Sequence, residues 1–216
     1  MTFSNDTVIF GQRTIRISNG IDFSSIPLRQ QIHTMENELH LIGVAEIHFW
    51  HGFDRIINGL KEYYTQNPTY KVYFHIVGNL SGERERQEIE MPIHTYGLSP
   101  YVILHGAKHG KELDVLFEKA DFAVGSLARH RSGIQNIKTL KNREYAARGF
   151  GFIYSETDDD FEKMPYILKA PADETPIEIS KVIAFCKKQT TPPQEIRDSI
   201  RNLSWKEQMK KVYDSI

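Results

Sequence analysis

The residues best suited to chemistry lie in one segment, Thr139-Leu140-Lys141-Asn142-Arg143-Glu144-Tyr145-Ala146-Ala147-Arg148-Gly149. Lys141 and Glu144 are three apart, so on a helix they share a face. Both fall near the start of that helix, just after a strand and a polar loop. A helix N-terminus offers free N–H groups and a partial positive charge, which suits phosphate. Lys141 adds a point charge, and a carboxylate one turn on can accept from sugar hydroxyls. The pair fits a nucleotide diphosphate lying across a helix start. The same spacing also makes an i,i+3 ion pair on a solvated helix, and periodicity alone leaves both readings open.

Two further clusters carry donors. In His48-Phe49-Trp50-His51-Gly52-Phe53-Asp54-Arg55, His48 and His51 can donate to phosphate or to a sugar. As a metal pair they lack an HExxH pattern and a fitting carboxylate. Trp50 suits a core or interface position as well as a stacking platform. Arg129-His130-Arg131-Ser132-Gly133 can hold an anion with backbone amides contributing, or form a solvated basic loop. Gly78-Asn79-Leu80-Ser81-Gly82 lacks both GxGxxG and the P-loop lysine pattern, which argues against a standard dinucleotide fold and an NTPase. No GxSxG elbow supports acyl hydrolysis.

The elements that must position these groups alternate. Leu39–Ala45, Tyr70–Val77, Tyr101–Leu104, Phe122–Gly125 and Phe152–Tyr154 are apolar runs of strand length. Between them, Phe53, Ile56, Ile57, Leu60 and Tyr64 recur at helical spacing, as do Leu113, Leu116 and Phe117. The charged stretch Glu83–Glu90 predicts a surface helix, and Gly149 is placed to cap a helix over Lys138–Arg148. Thr7–Leu28 predicts a strand or hairpin and then a turn at Ser18-Asn19-Gly20. Asp158-Asp159-Asp160 predicts an acidic turn, and Pro165–Pro176 an irregular crossing segment. The chain is expected to be helical from Pro176, ending in an amphipathic helix through Trp205, Met209, Val212 and Tyr213. The class is α/β: a Rossmann-like, doubly wound parallel sheet with helices on both faces. Such sheets bind ligands beyond the carboxyl ends of their strands. That points to Glu46–Gly52, Gly78–Gly82, His105–Gly110 and Ser126–Ile137.

Composition bounds the answer. The 216 residues suit one large domain, or one domain with a tail. Lys+Arg number 27 against 28 Asp+Glu, so no nucleic-acid partner is expected. Cys186 is the single cysteine, which favours a reducing, cytoplasmic setting. It lies in an apolar stretch and reads as a small buried hydrophobe rather than a nucleophile. Mean hydropathy is -0.45, and no apolar run approaches the roughly 18 residues of a membrane span. No signal peptide is visible at the start.

The ordered set of motifs resembles the C-terminal, donor-binding domain of GT-B fold glycosyltransferases, near the retaining family four (glycosyl transferases group 1). Ser18-Asn19-Gly20-Ile21-Asp22 is similar to an NGID segment that ends the linker between domains. Leu41–Ala45 with His51-Gly52, Phe74–Gly78, Val102–Gly106 and Ala120-Asp121 with Ser126 follow in the family's order. Lys141–Gly149 is similar to its signature helix, and Asp158 comes next. The likeness covers residues 15–160. It implies one half of a GT-B fold: residues 1–30 as interdomain linker, 31–176 as the donor-binding domain, and 177–216 as C-terminal helices packed on it.

The resemblance also implies roles. Glu144 matches the second glutamate of the family's E-x7-E pattern and would bind ribose. Lys141 would neutralise the diphosphate, with backbone amides near Ser132–Ile137, and so Gly133, capping it. The His105-Gly106 loop would meet the base. Departures stand beside the matches. Asn136, or His130 with a longer loop, takes the place of the first glutamate. His51 replaces a usual lysine, and Glu46 or Ile47 stands near a usual arginine, which leaves His48, His51, Arg129 or Arg131 to supply charge. The implied activity is transfer of a glycosyl group, of hexosyl type and with retention, from a nucleotide-diphosphate sugar to an acceptor hydroxyl in glycan or polysaccharide biosynthesis. No metal or other cofactor is expected, since Asp158-Asp159-Asp160 reads as a turn. A glycan or lipid-linked acceptor would reach the enzyme through an N-terminal domain, with peripheral membrane association of the full-length protein and an inactive isolated chain. Two other classes share the architecture: a nucleotide-sugar 2-epimerase and a non-catalytic, degenerate nucleotide-binding module.

Overall fold

A computed structural model describes residues 6–30 and 36–215. The chain opens with a small hairpin of β1 (Val8–Ile9) and β2 (Gln12–Arg13), antiparallel. Its turn residues Phe10 and Gly11 both have positive φ, the geometry that matches strand twist in a two-residue hairpin. The remaining strands form one parallel sheet: β3 (Glu38–Val44), β4 (Lys71–Val77), β5 (Val102–Leu104), β6 (Phe122–Val124), β7 (Phe152–Tyr154) and β8 (Ile167–Lys169). Their order is β5-β4-β3-β6-β7-β8, so the chain winds one way from β3 and the other way from β6. The doubly wound architecture expected from the alternation is what forms.

Strand periodicity explains why both faces of this sheet are covered. On β3, Leu39 and Leu41 join one core and Ile42 joins the other. The first core packs α1 (Phe53–Tyr64) and α6 (Ile179–Lys188) on the sheet through Ile56, Ile57, Leu60 and Val182. Over the same face run α2 (Glu83–Glu85), a π-helical turn (Arg86–Glu90) and α3 (Met91–Thr95), contributing Ile89 and Ile93. The second core takes Phe117 from α4 (Gly110–Glu118), Tyr145 to Ala147 from α5 (Leu140–Ala147) and Ile196 from α7 (Pro193–Ser199). Helix α8 (Trp205–Tyr213) closes the chain, its N-cap Ser204 accepting from the Glu207 N–H. Cys186 is buried in the first core, and burial raises its thiol pKa, consistent with a hydrophobe's role. No helix among the described residues is long and apolar enough to cross a membrane.

Two expectations are corrected. Ser18-Asn19-Gly20 is not a turn but a straight segment pinned under α8. The Ser18 N–H donates to Gln208 Oε1 at 2.7 Å, and the Ile21 N–H to the Leu203 carbonyl at 2.9 Å. A Cβ on Gly20 would fall 2.3 Å from the Trp205 ring, so the glycine is there for close approach. The segment Pro165–Pro176 is not wholly irregular: Ile167–Lys169 forms the edge strand β8, paired with β7 from Phe152↔Ile167 to Tyr154↔Lys169.

Helix α1 seats directly on backbone. A Cβ on Gly59 would lie 2.0 Å from the Ile177 carbonyl oxygen. Gly→Ala inside a helix ordinarily stabilises by about 0.5–1 kcal/mol. Here Gly59→Ala is expected to cost about 1–3 kcal/mol from overpacking. The measure is a lower urea midpoint with unchanged m-value; equal or greater stability would show that α1 is not seated this way.

Candidate functional site

The carboxyl ends of β3, β4 and β6 are drawn tightly together. Ala45 N–H donates to the Val77 carbonyl, Ile47 N–H to Asn79, and Gly78 N–H to Gly106, at 2.8–3.0 Å. Gly78 has φ 131°, and a Cβ there would sit 1.6 Å from the Ala45 carbonyl oxygen. The Leu127 N–H, after β6, donates to the His51 carbonyl at 2.8 Å. Between β3 and β6 the winding reverses, the place where doubly wound sheets form a ligand crevice. Helix α5 starts on this edge.

Two cavities open here. The larger, about 800 Å³, is walled by Arg129, Asn136, Lys138, Thr139, Leu140 and Lys141, with Arg16 and Asp159 opposite. The smaller, about 500 Å³, lies among Val44–Glu46, Gly78, Asn79, Ala107–His109 and Glu144. Lys141 and Glu144 therefore share a helix but serve different cavities. Glu144 is partly exposed and pairs at 3.0 Å with Arg148, which reaches Asp114 at 2.8 Å.

Lys141 is the more unusual of the two. Its stem is partly exposed, yet its ammonium nitrogen is buried with no hydrogen-bond partner. Burial pushes its pKa well down, Arg129 pushes it further, and Glu156 opposes both. Arg129 Nε is likewise buried and unpartnered, its guanidinium 5.6 Å from the Trp50 ring centroid. Glu156, two residues past β7, is 2% exposed with neither carboxylate oxygen bonded, and burial raises its pKa. Thr139 Oγ1, at the N-cap of α5, both polar atoms of Asn142 on the same helix and Ser126 Oγ after β6 are buried and unpartnered as well.

The other expected residues have different occupations. Arg131 is not a free cation: it grips Asp54 through two nitrogens at 2.7 and 2.9 Å, binds Glu174 and donates to the Phe49 carbonyl. His130 Nε2 lies 2.7 Å from Glu174, whose carboxyl these partners hold down at about 2. Two members of the basic loop are thus turned onto Asp54 and Glu174, leaving Arg129 toward the larger cavity. Gly133 ends that turn with φ 69°, and Asn136 lines the cavity wall, bridged in parallel to Thr157.

His51 does not supply charge. It is 5% exposed, and its Nδ1 accepts the His48 N–H at 2.9 Å. Burial, with Lys141 and Arg129 nearby, lowers its pKa to about 2. His48 stacks on Trp50 with ring centroids 4.3 Å apart, outside both cavity walls. His105 also lies outside them, at the end of a ladder across the sheet: His40 Nδ1 is 2.9 Å from His75 Nε2, and His75 Nδ1 is 2.9 Å from His105 Nε2.

Sequence reasoning passed over Glu156. Nothing periodic marks it; the only signal is its place two residues beyond a strand end. Among the described residues, no group of three or more His, Cys, Asp or Glu is arranged to hold a metal ion.

No family model and no curated protein matches this sequence. Solved structures do. An Anabaena protein, HepE, solved with UDP and glucose, is 16% identical with a TM-score of 0.69 over 95% of this chain and 57% of its own. A sucrose-phosphate synthase from Thermosynechococcus elongatus is 17% identical, TM-score 0.67, over 94% of this chain and 52% of its own. The C-terminal domain of a glycosyl transferase group 1 family protein from Francisella tularensis is 16% identical, TM-score 0.55, over 84% of this chain and 96% of its own. The chain spans about half the length of the first two and nearly all of that isolated domain. Its fold is that of the C-terminal half of a GT-B glycosyltransferase.

The buried imidazole of His51 has a consequence in acid. The native chain keeps it neutral while the unfolded chain takes a proton below pH 6.5, so stability falls with pH from there toward about 2. In His51→Asn, whose side-chain oxygen can still accept the His48 N–H, the acid slope should be shallower by about 1.4 kcal/mol per pH unit. Urea unfolding between pH 7 and 4.5 measures it; an unchanged slope would mean that His51 titrates in the native state.

Proposed function

We propose that this chain is the donor-binding half of a glycosyltransferase that takes a nucleotide-diphosphate sugar. One observation carries the reading: at the N-terminus of α5, on the carboxyl edge of a doubly wound sheet, the Lys141 ammonium is buried without a partner beside Arg129. Free N–H groups, the helix dipole and two cations converge there, an arrangement suited to a diphosphate. The second cavity, with the Glu144 carboxylate in its wall, suits the ribose and base. Neighbours of the same fold have been solved with UDP, UDP-glucose, and UDP with GlcNAc.

In this reading Lys141, Arg129 and the α5 N–H groups stabilise the departing nucleoside diphosphate as charge develops on it, an electrostatic contribution to the transition state. The glycosyl group passes to an acceptor hydroxyl on a glycan or lipid-linked acceptor held by an N-terminal half. Retention of configuration, service in polysaccharide biosynthesis and a cytoplasmic setting belong to the same proposal. No step here draws on a metal.

The non-catalytic alternative is favoured by one observation: His51, where the resembling family carries a lysine, is buried and neutral. Nucleotide binding with no turnover of any nucleotide sugar by the full-length protein would select it.

The test of donor binding is calorimetric titration with UDP, GDP and ADP. One diphosphate should bind saturably, and Lys141→Ala and Glu144→Ala should each weaken it about 10- to 100-fold, the value of a charge-assisted contact of roughly 1.5–3 kcal/mol. Full affinity in both variants would remove the site assignment.

A further inference from the structure

The groups behind the larger cavity hold more bonding capacity than the protein satisfies. Both Glu156 oxygens, Lys141 Nζ and Arg129 Nε are buried and unpartnered. Glu156 comes from the loop after β7, Lys141 from the first turn of α5, and Arg129 from the turn after β6. Two of the three, Lys141 and Arg129, are in the cavity wall. Glu156 is buried between Ser155, whose N–H donates to the Ser126 carbonyl at 2.9 Å, and Thr157, which lines that same wall and bridges to Asn136.

Their mutual electrostatics assign Glu156 a task. A buried ammonium with no counter-charge sheds its proton rather than remain ionised. Arg129 presses Lys141 in that direction, as burial does, while Glu156 acts the other way. The remaining charged groups nearby are committed elsewhere. Asp158 is bound to Arg143 at 2.7 Å, Lys138 to Asp160 at 3.0 Å and Arg16 to Asp159. Lys169 donates to the Glu156 backbone carbonyl and pairs with Glu162 at 2.5 Å, and His51 is neutral. Burial is the strongest influence on Glu156 and raises its pKa, as Asp158 does, while Lys141 and Arg129 draw it back toward the carboxylate.

We propose that Glu156 is a positioning residue: its buried carboxylate keeps Lys141 protonated next to Arg129, so that the cavity presents a pair of cations to an incoming diphosphate. The identity of that anion rests on the donor reading above; the coupling of Glu156 to Lys141 does not. Glu156 itself touches no substrate in this scheme. Removing its charge should act through Lys141 and should be undone by protons.

The experiment reads the two parts separately. In ligand-free protein with ¹³C-labelled lysine, the Lys141 resonance (identified by its loss in Lys141→Met) is titrated in wild type, Glu156→Gln and Glu156→Asp. The midpoint should fall by at least one pH unit in Glu156→Gln and stay near wild type in Glu156→Asp. An unchanged midpoint in Glu156→Gln overturns the proposal. If Glu156→Gln does not fold, the reciprocal measurement decides: in Lys141→Met the Glu156 carboxyl midpoint should rise by at least one unit, and no rise overturns the proposal. UDP, GDP and ADP are then titrated across pH. Glu156→Gln should lose at least tenfold in affinity at pH 8 and regain it as the pH falls. A shifted Lys141 midpoint with no diphosphate bound by wild type overturns the donor reading alone. A shifted midpoint with wild-type affinity at every pH overturns the role of Glu156 in the site.

Discussion

The interaction on which the site depends is the buried pair of Arg143 and Asp158. Helix α5 is short, and its buried residues include Asn142 and Arg143 as well as Tyr145, Ala146 and Ala147. Such a helix is not held by an apolar stripe alone. Its Arg143 guanidinium, fully buried, donates to Asp158, to the Thr139 and Asn19 carbonyls, to Ser18 Oγ and to Asp160. One side chain thereby ties the start of α5 to the loop after β7 and to the segment before β3. Truncating one partner of such a pair strands a charge, at a cost of about 3–5 kcal/mol. The position of Lys141, two residues back on the same turn, follows from this anchor.

A second set of ion pairs sets the charge of the site. The loop Arg129–Ser132 reads as a dense basic cluster, but Arg131 and His130 are turned onto Asp54 and Glu174, and His51 is neutral. Arg55 is likewise consumed, holding the Leu127 and Pro171 carbonyls and Asp173. These pairs join α1 to the loops after β6 and β8 and so stiffen the floor of the crevice. What remains toward the larger cavity is a small excess of cation, Lys141 and Arg129 against Glu156. The apparent wealth of positive charge is mostly architecture.

Much of this was legible in the chain. Strand and helix periods placed five of the six parallel strands and the start of α1, because each buries an apolar set; α5, which buries Asn142 and Arg143 as well, was placed by the loop before it and Gly149 after it. Strand β8, no shorter than β5, β6 or β7, escaped because Ile167–Lys169 is a partly exposed edge strand set between Pro165 and Pro171, where the prolines read as an irregular crossing. Lys141 and Glu144 were legible as cavity residues because a helix start on a sheet edge constrains them locally, whereas Asn136 was named only through the family resemblance. Their division between two cavities was not, since it depends on which loops close over each side of α5. Glu156 and the His40–His75–His105 ladder were not legible either. Burial of a lone carboxylate leaves no sequence period, and histidines 35 and 30 residues apart meet only through the sheet register.

A folded chain that leaves a lysine and a glutamate buried without hydrogen bonds forgoes stability. With the Lys141 pKa lowered from 10.5, the unfolded chain binds a proton that the native chain does not, from the native midpoint up to that value. Stability from this group therefore rises with pH across that window and is lowest where the lysine is charged. A purely structural site would have been relieved of that penalty by an apolar residue, as replacement of buried ion pairs often stabilises. Departures from local consistency are expected at functional sites, and this one coincides with the sheet edge, the helix start and the larger cavity. Cost and location together argue that the buried charge is kept for what it meets in that cavity.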